Sequence, residues 1–402
     1  MKSTRRNVLQ GAGWLGVWPF SRMSFAARTP ANVYQQLGIR PVINCRGTHT
    51  VIGASKVWPE LHDAMAEASR HYVILDELHD KIGARLAEMI GTEDAMVTTG
   101  CAGAITLGTA ACLTGMDSAK VRQLPGLAGM KSEAIIQKIH RNGYDHAVRN
   151  AGLKIVEVEG IEQMRNAASE RTAVMYYLGA ESFDYEWKTD PVSLAECLEL
   201  GRKAGFPVLV DAANMLPSWD NIRKLGALKT DLICLSGGKH MRGQQCSGIL
   251  AGRKDLVRAA RLNASPHPDS LGRPLKVGRE EMVGVWLAAE KYAKLDFAAI
   301  DRQCAGAAQY LAGELKKIPG LRVSHAPHDR TRRVHRVLAE WDGKEMGISV
   351  DDCEKLLLEG EPRIAVLKHG GAMVFTLLMN DPGDEKQVAR RMREVFSSVR
   401  KG

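Results

Sequence analysis

The chain has 402 residues, is 45% hydrophobic and 25% charged, and carries 39 glycines and 15 prolines. Those values exclude a wholly disordered, collagenous or coiled-coil chain and leave room for one large α/β domain with a smaller partner. The net charge is +9, but Lys2, Arg5, Arg6 and Arg22 lie among the first 26 residues with no acid beside them, so the rest carries +5.

Residues 1–26 lack the character of a folded segment. Ser3-Thr4-Arg5-Arg6-Asn7-Val8-Leu9-Gln10 resembles a twin-arginine export signal, although Val8 and Gln10 replace the usual aromatic and lysine. A modestly apolar stretch runs to Phe20, and Ser24-Phe25-Ala26 offers small residues before a cleavage point after Ala26. This predicts a signal peptide over 1–26, a periplasmic protein and a transient partner in the export machinery. A cytoplasmic protein with a basic N-terminus is the alternative. Gly11-Ala12-Gly13-Trp14-Leu15-Gly16 matches a dinucleotide fingerprint in letters only, because no strand precedes it. No apolar run reaches the roughly 18–20 residues of a membrane span.

The expected organisation is an N-terminal arm over 27–59, a large domain over 60–285 and a small one over 286–402. Residues 61–90 read as helix, interrupted near 72–74 and stopped by Gly91. A short strand at 94–98 opens into a small-residue helix to 113. Strands follow at 133–139, 154–158 and 173–178, with a helix over 144–150. Then come a helix at 194–204, a buried strand at 207–210 ending on Asp211, and strands at 232–235 and 248–252. This alternation predicts an α/β fold with a mostly parallel sheet covered on both faces. A long helix over 280–315, strands near 334–341 and 373–378, and a helix over 385–399 predict a smaller α+β region.

Eight cysteines at 45, 101, 112, 197, 234, 246, 304 and 353 form no C-x-x-C pair, which argues against a disulfide scaffold or zinc site. His62, His71 and His79 do not fall at ligand spacing, so no metal is expected. His325, His328 and His335 with Arg330, Arg332 and Arg333 read as a solvated basic loop. Without interleaved aromatics, nucleic acid is not an expected partner.

The chemistry concentrates in three places. Ser236-Gly237-Gly238-Lys239 puts a lysine on a loop directly after a strand. Such a lysine can approach a carbonyl cofactor, and Ser236 can reach a phosphate. Asp211, at the carboxyl end of a buried strand, can hold a pyridinium nitrogen in its protonated form. Thr99-Gly100-Cys101-Ala102 begins a helix whose free N–H groups can hold a phosphate dianion. Phosphate helix, strand-end Asp211 and loop Lys239, in that order, point to pyridoxal 5'-phosphate on a fold-type-I scaffold. Ligands in open α/β sheets sit at strand carboxyl ends.

The run from Ser236 through Lys239, Arg242, Gln245, Ser247 and Gly248 to Gly252 resembles the lysine loop of the SelA-like group. That group includes selenocysteine synthase (seryl-tRNA selenium transferase) and D-glucosaminate-6-phosphate ammonia lyase. Asn44-Cys45-Arg46-Gly47-Thr48 and Gly360-Glu361-Pro362-Arg363 are similar to it as well. His240, Gln244 and Cys246 depart from its pattern. The resemblance implies that Lys239 links to the cofactor and moves the proton at the substrate carbon, while Asp211 holds the ring nitrogen. It implies phosphate contacts from Thr99, Gly100, Cys101, Ala102 and Ser236. His140 would stack on the ring, and Ala213 would pack on its other face. Arg363, Arg242 and Arg46 are its candidate substrate-binding residues.

The implied activity is a lyase acting on an amino acid through an α-carbanion, by α,β-elimination that releases keto acid and ammonia. An aminotransferase or racemase is the alternative of the same fold. Seryl-tRNA selenium transfer fits poorly with the modest charge and an export signal, and a binding protein would not require both Lys239 and Asp211. Fold-type-I sites form at subunit interfaces, so a homodimer or larger homo-oligomer is expected.

Overall fold

The computed structural model describes residues 33–179, 190–329 and 332–399. The export-signal residues 1–26 lie outside them, as do residues 180–189. The chain divides into two compact units at Pro41/Val42. In the first, the described residues form a single helical turn, Val33–Gln36.

The described residues of the second unit contain thirteen strands: β1 (Val42–Asn44), β2 (Asp94–Thr99), β3 (Glu133–Gln137), β4 (Lys154–Val158), β5 (Thr172–Leu178), β6 (Val208–Asp211), β7 (Leu232–Ser236), β8 (Ser247–Gly252), β9 (Arg322–His325), β10 (Arg336–Glu340), β11 (Arg363–Ala365), β12 (Leu367–His369) and β13 (Ala372–Thr376). Seven form the main sheet in the order β2-β8-β7-β6-β5-β3-β4. Only β8 runs antiparallel to its neighbours. The other pairings are parallel, as the helix–strand alternation predicts.

The side chains of this sheet alternate between two cores. Ile135, Met175, Val210, Ile233 and Ile249 pack on one face, with the helix Leu75–Ile90. Ile136, Tyr176, Leu209, Leu232 and Leu250 pack on the other, against the helix Gly100–Thr114. Every residue of β5 is buried, which explains its continuous apolar run. A third core, around Val337, Met373, Phe375 and Met392, underlies the four-stranded sheet β12-β13-β10-β9. Strand β1 pairs in parallel with β11, so residues from the expected arm join the C-terminal part.

Several expected boundaries shift. The 61–90 helix is two helices, Leu61–Ser69 and Leu75–Ile90, separated where the sequence interruption falls. The expected helix over 280–315 is also two, Arg279–Ala293 and Phe297–Leu315. Asp296 starts the second by accepting from the Ala299 amide at 2.9 Å. The 133–139 strand stops at Gln137, where Lys138–His140 form a 3-10 turn. Among the described residues, no helix is long and apolar enough to cross a membrane.

Candidate active site

The register of the sheet sets out the site. Leu178 pairs with Asp211, Asp211 with Cys234, and Ser236 with Gly248. The carboxyl ends of β5, β6 and β7 therefore lie in a row, with the end of β2 beyond β8. A cavity of about 450 Å³ opens there. It takes residues from this edge, from 46–50, and from the segment leading into β10.

Thr99 and Gly100 begin one wall. Gly100 has φ +65°, the left-handed region that favours glycine, and turns the chain from strand into helix. Gly248 passes so close that a Cβ there would lie 2.3 Å from the Gly100 carbonyl carbon. The first-turn amides of Gly100–Thr114 have no partner within the helix, and Gly100, Cys101 and Ala102 line the cavity. The Thr99 hydroxyl is buried without a hydrogen-bond partner. Amide groups at a positive helix end with an unsatisfied hydroxyl fit a phosphate.

Asp211 is 5% exposed and lines the same cavity. Tyr176 donates from its hydroxyl to Oδ2 at 2.9 Å, and the Ala213 amide donates to Oδ1 at 3.0 Å. The Cys101 thiol approaches Oδ1 at 3.4 Å. Burial, then the carboxylate, push the Tyr176 phenol and the Cys101 thiol well above their ordinary values, so both stay protonated. A carboxylate held by donors on one side and open to a cavity on the other suits a protonated ring nitrogen.

Lys239 follows β7 on a tightly folded loop. The Gly237 amide donates to the Ser247 carbonyl and the Gly243 amide to the Gly237 carbonyl, each at 2.9 Å. A Cβ at Gly238 would lie 2.3 Å from the Gln245 Cα, so the loop cannot admit a larger residue there without moving. Burial lowers the Lys239 pKa from the ordinary 10.5. The Asp211 carboxylate opposes that shift, and Arg332 adds to it. Ser236 and Ala213 line the same cavity.

The segment leading into β10 adds positive charge. Arg332 and Arg336 line the cavity, and both pair with Asp329. Arg332 Nε lies 2.7 Å from Oδ2, and Arg336 makes a bidentate pair at 3.0 and 3.1 Å. Arg332 Nη1 also donates to Asn214 Oδ1 at 3.1 Å and reaches His240 Nε2 at 3.2 Å. Among the described lining residues, Arg46, Lys239, Arg332 and Arg336 face one carboxylate, Asp211. This corrects the solvated reading for Arg332, which is 7% exposed, whereas His325, His328 and Arg333 are exposed.

Of the residues singled out in the sequence, Lys239, Asp211, Thr99, Gly100, Cys101, Ala102, Ala213, Ser236 and Arg46 come together at the cavity. His140, Arg242 and Arg363 do not line it. His140 is fully buried, accepting from the Leu178 amide at Nδ1 (3.3 Å) and bonding Asp190 through Nε2 (3.0 Å). Its ring stands edge-on to Tyr177 rather than in the cavity. Arg242 donates to the Lys56 carbonyl and lies 3.9 Å over the Trp58 ring. Arg363 donates to the Leu358 carbonyl at 2.7 Å. Tyr144, Asn214, Arg332 and Arg336 line the cavity without having been singled out as site residues, as Tyr176 supports it from below.

No protein-family model matches the chain. It is 32% identical over 381 residues to 5'-C-glycyluridine monooxygenase-decarboxylase of a Streptomyces species, covering 90% of this chain and 92% of the relative. It is 29% identical over 381 residues to D-glucosaminate-6-phosphate ammonia lyase of Salmonella typhimurium, covering 90% and 98%. The solved structure of a D-glucosaminate-6-phosphate ammonia lyase superposes with a TM-score of 0.79 at 28% identity, over 92% of this chain and 99% of the other. With a phosphate cradle, a strand-end carboxylate and a loop lysine on one cavity, the chain belongs to the SelA-like family of fold-type-I pyridoxal 5'-phosphate enzymes, related to D-glucosaminate-6-phosphate ammonia lyase.

Proposed function

We propose that the enzyme removes the α-proton of an amino acid carrying a β-leaving group, and releases a keto acid and ammonia by α,β-elimination. The observation that carries this reading is one cavity lined by Lys239, Asp211, Arg332 and Arg336 together. Bound pyridoxal phosphate supplies an electron sink for the charge left at the α-carbon. Thr99, Ser236 and the first-turn amides hold its phosphate, and Asp211 keeps its ring nitrogen protonated. Arg332 and Arg336 hold the substrate carboxylate, for which a planar guanidinium provides paired donors. Lys239, once neutral, accepts the α-proton at Nζ and hands it to the departing β-group. The enamine product then takes up water to give keto acid and ammonia.

Similarity to the Streptomyces relative, over nine tenths of both chains, supports a second reading in which the α-carboxylate is lost with oxygen consumption. Incubating the holoenzyme with a panel of L- and D-amino acids under nitrogen and under air separates the two. Keto acid and ammonia in equal amounts without oxygen support elimination. Carbon dioxide release that requires oxygen supports the second reading and excludes the first.

We further read residues 1–26 as a twin-arginine signal directing the protein to the periplasm. Arg5 and Arg6 without neighbouring acids support this. Processing and location of an Arg5→Lys/Arg6→Lys protein test it, and unchanged export would refute it. A homodimer is supported by the exposed run Tyr72, Val73 and Ile74, in which Tyr72 is 98% exposed. A monomeric mass in solution would oppose it.

A further inference from the structure

His240 follows the loop lysine directly and is 4% exposed, yet lines the cavity. Its Nε2 lies 3.2 Å from Arg332 Nη1. A guanidinium can only donate, so His240 accepts at Nε2. A neutral imidazole that accepts at Nε2 carries its hydrogen on Nδ1. That nitrogen is buried and has no hydrogen-bond partner. An unsatisfied buried N–H costs stability, and an apolar side chain could fill this space without that cost. The gain therefore lies on the other side of the ring, where Nε2, Asn214 Oδ1 and the Leu216 carbonyl converge on one nitrogen of Arg332.

We propose that His240 is a positioning residue that fixes the Arg332 guanidinium for the carboxylate of the amino-acid substrate. This rests on the reading of Arg332 as a carboxylate-holding group. The surroundings keep the ring in its accepting form: burial first, then Arg332, Lys239 and Arg336, hold the His240 pKa well below 6.5. A protonated ring would turn a donor toward the guanidinium and release it.

The test compares L-serine with L-serinamide, which lacks the carboxylate, as probes of the holoenzyme, with binding followed by cofactor absorbance. The wild-type protein is expected to favour serine by about tenfold or more. His240→Phe should lower that preference to less than about threefold while leaving cofactor loading and the serinamide response in place. His240→Gln, which replaces the ring nitrogen by an oxygen acceptor, should recover it. A preference retained in His240→Phe overturns the role of His240 alone. No preference in the wild type removes the Arg332 reading and this proposal with it. Should His240→Phe fail to fold, nitrogen-15 NMR of labelled histidines in the wild-type holoenzyme decides. The proposal requires a neutral ring with hydrogen on Nδ1, and hydrogen on Nε2 overturns it.

Discussion

Tyr176 and Asp211 occupy adjacent strands, β5 and β6, and the Tyr176 hydroxyl donates to Asp211 Oδ2 at 2.9 Å from inside the core. The bond leaves the carboxylate pinned from below and open to the cavity above. Tyr176→Phe removes one donor to a buried charge, an interaction of roughly 1.5–3 kcal/mol. The expected outcome is a folded protein whose cofactor affinity falls by about tenfold, measured by absorbance titration of cofactor-free protein. Unchanged affinity would show that Tyr176 supports the core and not the carboxylate.

Lys239 links the site to pH. In the fold, burial lowers its pKa below 10.5. Between that lowered value and 10.5 the unfolded chain binds more protons than the native one, so stability rises with pH through this window. Cofactor-free wild-type protein should therefore gain stability relative to Lys239→Met as pH rises from about 7 to about 9.5. Urea denaturation at both ends measures the difference. A constant difference would mean that the native lysine titrates like the unfolded one.

Arg336 sits at the cavity through a bidentate pair with Asp329. Arg336→Lys keeps the charge and loses the planar fork. The expected result is a KM for an anionic amino acid raised by about tenfold, with kcat altered less. A fall in kcat at constant KM would place the residue elsewhere in the reaction.

At Gly100 the backbone adopts φ +65°, while nothing lies within 4 Å of an added Cβ. Gly100→Ala is therefore strained by conformation and not by collision, by about 1–2 kcal/mol. If the turn aims the first-turn amides at the cofactor phosphate, the variant should fold and bind pyridoxal phosphate several-fold more weakly. Equal affinity for pyridoxal phosphate and pyridoxal in both proteins would contradict that.

The residues of the site were not equally legible. Asp211, Lys239 and Gly100 stand at the junctions of strands with loops or helices, where local pattern alone marks a ligand edge. Arg332 and Arg336 look like part of a basic loop because the partner that buries them, Asp329, serves both, and the cavity they face is built by segments distant in sequence, from 46–50 through 99–105 to 236–246. His140 illustrates the converse. Its position after a strand suggests a cofactor neighbour, yet the chain turns at Lys138–His140 and carries the ring into the core toward Asp190. Tyr176 is invisible as a site residue within a fully apolar-looking strand, because only the lateral register with Asp211 gives its hydroxyl a purpose.

The central claim is that Lys239 carries the cofactor. Borohydride reduction of the purified holoenzyme, followed by peptide mapping by mass spectrometry, tests it most directly. The account predicts loss of the visible absorbance and a single pyridoxyl adduct on Lys239, absent from Lys239→Ala. An adduct on another lysine, or a protein that pyridoxal phosphate cannot colour, would contradict it.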